Sequence, residues 1–245
     1  MRRVSGTVMI LAMLVMSLPA WGALVNRYNF NVDPNDLVGT SNGVLTNGAY
    51  LSDGKLVLTG GTSYSAPCVT LPADVLKNYS SVTIEAWFSL DGLSQWQRLF
   101  DFGDSAGGTN GAGGNYIFYT PSSGGNDSRF VISTGGIPGY NYGENMAIGT
   151  GLTTSTTYHV ACVYDAATST ISLYQDGKFI NSSTTSHLLT NVGRSFAYIG
   201  SSTYRGDPAF AGKVDEFRIY NTALSARELA FNYAKGPDTV SPFFI

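Results

Sequence analysis

An all-β sandwich or barrel is what this sequence predicts, and three observations predict it. Runs of alternating or β-rich residues recur at short intervals between clusters of Gly, Asn, Asp and Ser, with no helices interleaved. The 245 residues include 29 Gly and 49 Ser and Thr, a composition of turns and hydroxyl-rich strands. Aromatic residues make up 13% of the chain and charged residues only 13%, so a large core is available while the charge density of coiled coils and acidic disordered tails is missing.

The first element is not part of that fold. Met1-Arg2-Arg3, an apolar run from Val8 to Leu18 and Pro19-Ala20-Trp21-Gly22 have the three-part layout of a secretory signal peptide, with cleavage before Ala23. The apolar run is shorter than the roughly 20 residues that span a bilayer. The expectation is a secreted protein, extracellular or periplasmic, with no membrane span after cleavage and a mature net charge of −5.

Strands are predicted at residues 24–30, 55–58, 68–71, 82–90, 98–102, 116–120, 129–133, 158–164, 170–174, 178–182, 197–200 and 212–220. The clearest is 82–90, where Val82, Ile84, Ala86 and Phe88 alternate with Thr83, Glu85, Trp87 and Ser89. Asp176-Gly177 between two β-rich runs is a hairpin signal. One helix follows: Ser225 and Glu228 form a capping box, Leu224 and Leu229 the hydrophobic staple, and Gly236-Pro237 the stop. No internal repeat or mid-chain linker divides the chain, so residues 23–236 read as one domain and 237–245 as an unstructured tail or linker stub.

The slightly acidic balance, 14 Lys and Arg against 17 Asp and Glu, lacks the basic footprint of a nucleic-acid partner. Gly103-Asp104-Ser105-Ala106-Gly107 matches the G-x-S-x-G nucleophile elbow, but that motif needs a helix after the turn, and the glycine-rich continuation to Gly114 is a poor one. The run reads instead as a flexible surface loop. Of four Glu residues, Glu228 is used by the helix cap, Glu144 lies in a Gly/Asn-rich loop, Glu85 has no acid two positions away, and Glu216 faces away from Asp215. No strand therefore carries paired acids for glycoside hydrolysis, leaving only a meeting of acids from distant strands. Cys68 and Cys162 each lie in an apolar stretch, and the spacing leaves both a disulfide and two buried thiols open.

Five segments in order, Ser81–Phe88, Tyr158–Asp165, Leu173–Gly177, Phe210–Asn221 and Leu224–Glu228, resemble the laminin-G-like, concanavalin A-like jelly-roll family. Asp36, Gly43 and Leu45 resemble its N-terminal turn. The resemblance implies two antiparallel sheets with ligand sites on a concave face or at the loop rim. Glycosidases of this fold carry an E-x-D-x-(x)-E strand, which is missing here, so the expectation is no enzyme. Their structural calcium implies a possible site in which Asp215 supplies a carboxylate and Asn29 and Gly54 supply carbonyls, the hard oxygens calcium prefers. The expected function is a secreted binding or adhesion module, with a glycan as partner and an extracellular protein as the alternative. Sugar sites combine aromatic faces with a few fixed polar groups, so the candidate residues are Trp96, Tyr116, Tyr119, Tyr140, Tyr142 and Tyr204, with Arg129 and Arg205 as donors.

Overall fold

The computed structural model describes residues 23–240. The expected signal segment, residues 1–22, and the end of the tail, residues 241–245, lie outside the described residues. In chain order the strands are β1 (Leu24–Tyr28), β2 (Val44–Thr46), β3 (Tyr50–Ser52), β4 (Lys55–Thr59), β5 (Cys68–Thr70), β6 (Val82–Leu90), β7 (Phe100–Ala106) and β8 (Ala112–Thr120). They continue as β9 (Ser128–Ser133), β10 (Asn145–Gly149), β11 (Thr157–Asp165), β12 (Thr170–Gln175), β13 (Lys178–Thr184), β14 (Phe196–Ile199) and β15 (Ala211–Tyr220), followed by helix α1 (Ala226–Lys235).

Two antiparallel sheets form a sandwich. The eight-stranded sheet runs β13-β12-β11-β6-β15-β4-β3, with β1 paired to the C-terminal half of β15 beyond β4. The seven-stranded sheet runs β10-β9-β8-β7-β14-β5-β2. Alternating residues from each face the space between them: Ile84 and Phe88 of β6, Ile117 and Tyr119 of β8, Ile132 of β9, Cys162 of β11 and Phe217 of β15 belong to one buried cluster. Burying each large side chain contributes roughly 1.5–3 kcal/mol, and the aromatic pairs add geometry, Phe88 meeting Phe210 edge-on at 5.8 Å.

All twelve expected strands are present. The additional β2, β3 and β10 have three to five residues, too few for alternation to stand out. Asp176 and Gly177 have φ of 50° and 72°, the left-handed pair that a two-residue hairpin requires. Asp36 secures the turn after β1 by accepting from Asn26 Nδ2 at 2.6 Å and from the amides of Arg27, Val38, Gly39 and Ser41 at 3.0–3.1 Å.

One expectation is corrected, and one question the sequence left open is answered. The glycine-rich run is not a free loop: it forms the β7–β8 hairpin, with only Gly107 to Gly111 at the turn. Its glycines allow other segments to lie directly on the strand, since a Cβ on Gly113 would come within 2.3 Å of Thr203 Oγ1, and one on Gly114 within 2.3 Å of the Gly136 carbonyl oxygen. The cysteines are two buried free thiols, Cys68 in the seven-stranded sheet and Cys162 in the eight-stranded one.

Helix α1 starts at Ser225 with the expected capping box and lies on the outer face of the eight-stranded sheet, where Leu224 and Leu229 pack with Ala161, Val163 and Tyr220. The described residues after Gly236 stay against the domain. Carbonyls of Pro237 and Thr239 accept from Arg218, and those of Pro237 and Asp238 accept from Arg27, which holds the segment on the same face.

Candidate functional site

The outer face of the seven-stranded sheet is covered by loops rather than by a helix. Alternation in β8 turns Ile117 and Tyr119 inward and Tyr116 and Phe118 outward, where they join Val131 of β9 in a small apolar floor. Arg98 crosses that floor with its guanidinium carbon 3.9 Å from the centre of the Phe118 ring, and the residue is only 2% exposed. A guanidinium so buried needs compensation. It donates to the Trp96 carbonyl at 2.5 Å and to Asp207 Oδ2 at 3.3 Å, and its Nε lies 3.9 Å from Asp101 Oδ2.

Asp101 is buried beneath and fixes the β14–β15 loop, accepting from the Thr203 amide at 2.9 Å, Thr203 Oγ1 at 3.0 Å and Ser202 Oγ at 3.3 Å. Burial pushes its carboxyl up to about 6, against the opposing pull of Arg98 and these hydrogen bonds. Burial also raises the Asp207 carboxyl above its ordinary range, again opposed by Arg98.

Three loops raise walls above this floor. The β6–β7 loop contributes Trp96, the β9–β10 loop Tyr140 and Glu144, and the β14–β15 loop Tyr204 and Asp207; with Arg98 they line a pocket of about 300 Å³. Trp96 has φ +68°, a left-handed conformation that is an outlier for a bulky residue, held by its amide donating to the Ser122 carbonyl at 2.7 Å. Its ring is flanked by the guanidiniums of Arg98 and Arg129, each 5.5 Å from the ring centre. Tyr204 stacks on Tyr140 with centroids 6.2 Å apart and 24° between planes, and its hydroxyl accepts from the Tyr140 amide at 3.4 Å. The Tyr116 hydroxyl donates to Glu144; burial, with the Glu144 charge second, pushes the phenol far above its ordinary range, so it remains a donor. His187 pins the loop that carries Tyr140 and Glu144, bonding at Nδ1 to the Thr134 amide at 3.0 Å and at Nε2 to the Gly143 carbonyl at 2.8 Å.

The expected ligand residues are thus divided. Trp96, Tyr140 and Tyr204 line the pocket; Tyr116 lies in its floor, and Arg129 backs Trp96 while held by Asp127 at 2.6 and 3.1 Å. Tyr142 lies outside the lining, over Gly135 and Gly136. Arg205 packs near Tyr64, Phe196 and Tyr198 and donates to Tyr198 Oη at 3.0 Å. Tyr119 is fully buried in the core against Phe88, with no face for a ligand, because it has the opposite parity to Tyr116 on one strand. Arg98, Glu144 and Asp207 are pocket residues that sequence reading missed. Alternation would turn Arg98 inward with Phe100, but Leu99 and Phe100 are both core residues and the alternation breaks just before β7.

The segments expected to hold calcium do converge, Asn31 lying against Gly54 and Lys55 reaching Asp215. The Asp215 carboxylate is paired there with the Lys55 ammonium. Among the described residues there is no group of three or more His, Cys, Asp or Glu side chains that could hold a metal. The G-x-S-x-G stretch lies in β7 and its turn with no helix following, so it is not an elbow.

Residues 59–230 match a laminin-G family described as the concanavalin A-like lectin/glucanases superfamily. The chain belongs to the concanavalin A-like lectin/glucanases superfamily. Among solved structures of this fold, domain 4 of AbnA, a GH43 extracellular arabinanase from Geobacillus stearothermophilus in complex with arabinotriose, superposes with a TM-score of 0.62 at 18% identity, covering 86% of this chain and 98% of that one. The Ruminococcus gnavus IT-sialidase CBM40 bound to α2,3-sialyllactose gives a TM-score of 0.55 at 14% identity, over 72% of this chain and 94% of that one. Trypanosoma rangeli sialidase in complex with 2,3-difluorosialic acid gives 0.61 at 18% identity, over 86% of this chain but only 32% of the enzyme. No curated protein matches the sequence. These likenesses place the concanavalin A-like fold in the company of carbohydrate-binding domains, and among the described residues no helix is long and apolar enough to cross a membrane.

Proposed function

We propose that this chain is a secreted, non-catalytic carbohydrate-binding module and that one sugar unit sits in the pocket among Trp96, Tyr140 and Tyr204. The observation that carries this is the pocket itself: about 300 Å³ walled by three aromatic residues over a fixed set of polar groups. The left-handed Trp96 supports it, because strain of order 1 kcal/mol or more in a bulky residue is retained where the surroundings impose it, often at ligand sites. The sugar complexes of AbnA domain 4 and of the CBM40 support the same reading for this fold. Secretion rests on the layout of residues 1–22, and a mature protein starting at Ala23 is the expected product in an N-terminal mass measurement.

The test is a glycan array followed by calorimetric titration of the best binder. Tyr140→Ala and Trp96→Ala should each weaken binding by roughly 10- to 100-fold, the energy of one or two lost stacking contacts. Phe179→Ala, at an exposed position on the edge strand β13, should leave affinity unchanged. Reducing-sugar release that is abolished by Glu144→Gln or Asp207→Asn would replace binding with hydrolysis as the function of the pocket.

A further inference from the structure

The charges around the pocket do not balance. Its one lining cation among the described residues, Arg98, has its charge shared between Asp101 beneath and Asp207 at the wall, and its terminal nitrogens donate to the Trp96 carbonyl and to Asp207. Arg129 behind Trp96 is neutralised by Asp127. Among the described residues Glu144 receives only the neutral Tyr116 hydroxyl. These bonds use Oε1 of Glu144 and Oδ2 of Asp207 and leave the second oxygen of each carboxylate to accept from a ligand. Trp96, Tyr140 and Tyr204 supply the apolar walls, within which the effective dielectric falls below that of bulk water.

Resting on the reading of this pocket as a sugar site, we infer that it recognises neutral sugars, whose hydroxyls donate to Glu144 and Asp207, and discriminates against carboxylated sugars. A pair of neighbouring hydroxyls can donate to a free carboxylate oxygen and gain a charge-assisted bond. A sugar carboxylate at the same place brings a third negative charge toward two existing ones, with the charge of Arg98 already shared by Asp101 and Asp207, and among the described residues no second cation lines the pocket to receive it. Specificity then comes from repulsion of the wrong ligand as much as from attraction of the right one. The preference runs opposite to what the CBM40 complex would imply, since sialyllactose carries a carboxylate.

The test uses neutral and acidic probe pairs: fully methyl-esterified against de-esterified homogalacturonan, which differ in charge with little change in size, and lactose against α2,3-sialyllactose, which adds a carboxylated sugar unit, with arabinotriose as a further neutral probe. The full chain is screened on an array of these glycans and titrated at low and high salt. Neutral members should bind at least roughly tenfold tighter than their acidic twins, a gap that added salt narrows. Glu144→Gln retains an acceptor for Tyr116 and should narrow the gap without moving the melting temperature; Asp207→Asn should narrow it as well. Acidic twins that bind as tightly as neutral ones, or more tightly, overturn the charge inference and leave the sugar site standing. An array on which nothing binds overturns the sugar site and the inference with it.

Discussion

The two outer faces of the sandwich use the same chemical device for different ends. On the eight-stranded sheet, Arg218 lies 4.6 Å over Trp87, bonds Glu216 at 2.6 Å and approaches Glu85 at 3.8 Å. On the seven-stranded sheet, Arg98 lies over Phe118 between Asp101 and Asp207. Each is a buried guanidinium on an aromatic ring, shared by two carboxylates. The cover differs. Helix α1 lowers Asn232 onto Glu85 at 3.1 Å, His159 meets Glu85 at 2.8 Å, and the tail carbonyls cap Arg218 and Arg27, so the first face is filled. Loops cover the second face and leave a pocket of about 300 Å³. A segment of the chain itself completes the charge network on one side, and on the other one oxygen each of Glu144 and Asp207 is left to the pocket in which we propose a sugar binds.

The largest expected effect tests whether the closed face is structural. Arg218→Met removes the cation between Glu85 and Glu216 and leaves both carboxylates buried, so unfolding in urea should show a loss of about 3–5 kcal/mol. A loss below about 1 kcal/mol would mean that the network on the helix side does not hold the fold, and the contrast between the faces would break.

The next effect sharpens the open face and has a definite sign in pH. Because Asp101 is raised to about 6 when folded, the folded state binds its proton more tightly than the unfolded state, whose carboxyl titrates near 3.8. Its contribution to stability is therefore highest below pH 4 and declines as pH rises to about 6, by about 3 kcal/mol in all. Burial raises Glu216 in the same direction, against Arg27 and Arg218, so the overall decline is shared. Asp36 behaves oppositely: despite its burial, the hydrogen bonds from Asn26, Gly39, Arg27 and Val38 lower it, so its contribution is fully present above the unfolded value of 3.8 and is lost as pH falls from there through its lowered folded range. Chemical denaturation at a series of pH values should show a shallower decline between pH 4 and 6 in Asp101→Asn than in the unmodified protein. Equal slopes would show that the buried carboxylate under the pocket is not titrating there.

How legible these faces were in the sequence follows from how local their signals are. The strands and the capping box of α1 depend on neighbours within a few residues, and period-two alternation or the Ser225-to-Glu228 spacing reports them directly. The same alternation shows that Tyr116 and Tyr119 point to opposite faces, but not which face is the core, because Ile117 and Phe118 make both look apolar. The pocket is assembled from segments far apart in sequence, so Glu144 in a Gly/Asn loop and Asp207 before a Pro carried no local mark of their role. Arg98 was hidden by a break in alternation, and the pairing of Lys55 with Asp215 joins strands far apart in sequence.

The smallest effect concerns the cover of the closed face. Ser225 Oγ accepts from the Glu228 amide at 3.4 Å, and Glu228 Oε2 accepts from the Ser225 amide at 2.6 Å. Ser225→Ala removes the first of these bonds and should cost about 1 kcal/mol, read as a small fall in melting temperature. The helix should stay in place, since Leu229 and Asn232 are buried against the sheet independently of the cap. Glycan affinity should not change, because the pocket lies on the opposite sheet and takes no residue from α1. If affinity falls along with melting temperature, the two sheets transmit strain through the core they share, and the helix on the closed face would have to be counted among the elements that position Trp96, Tyr140 and Tyr204.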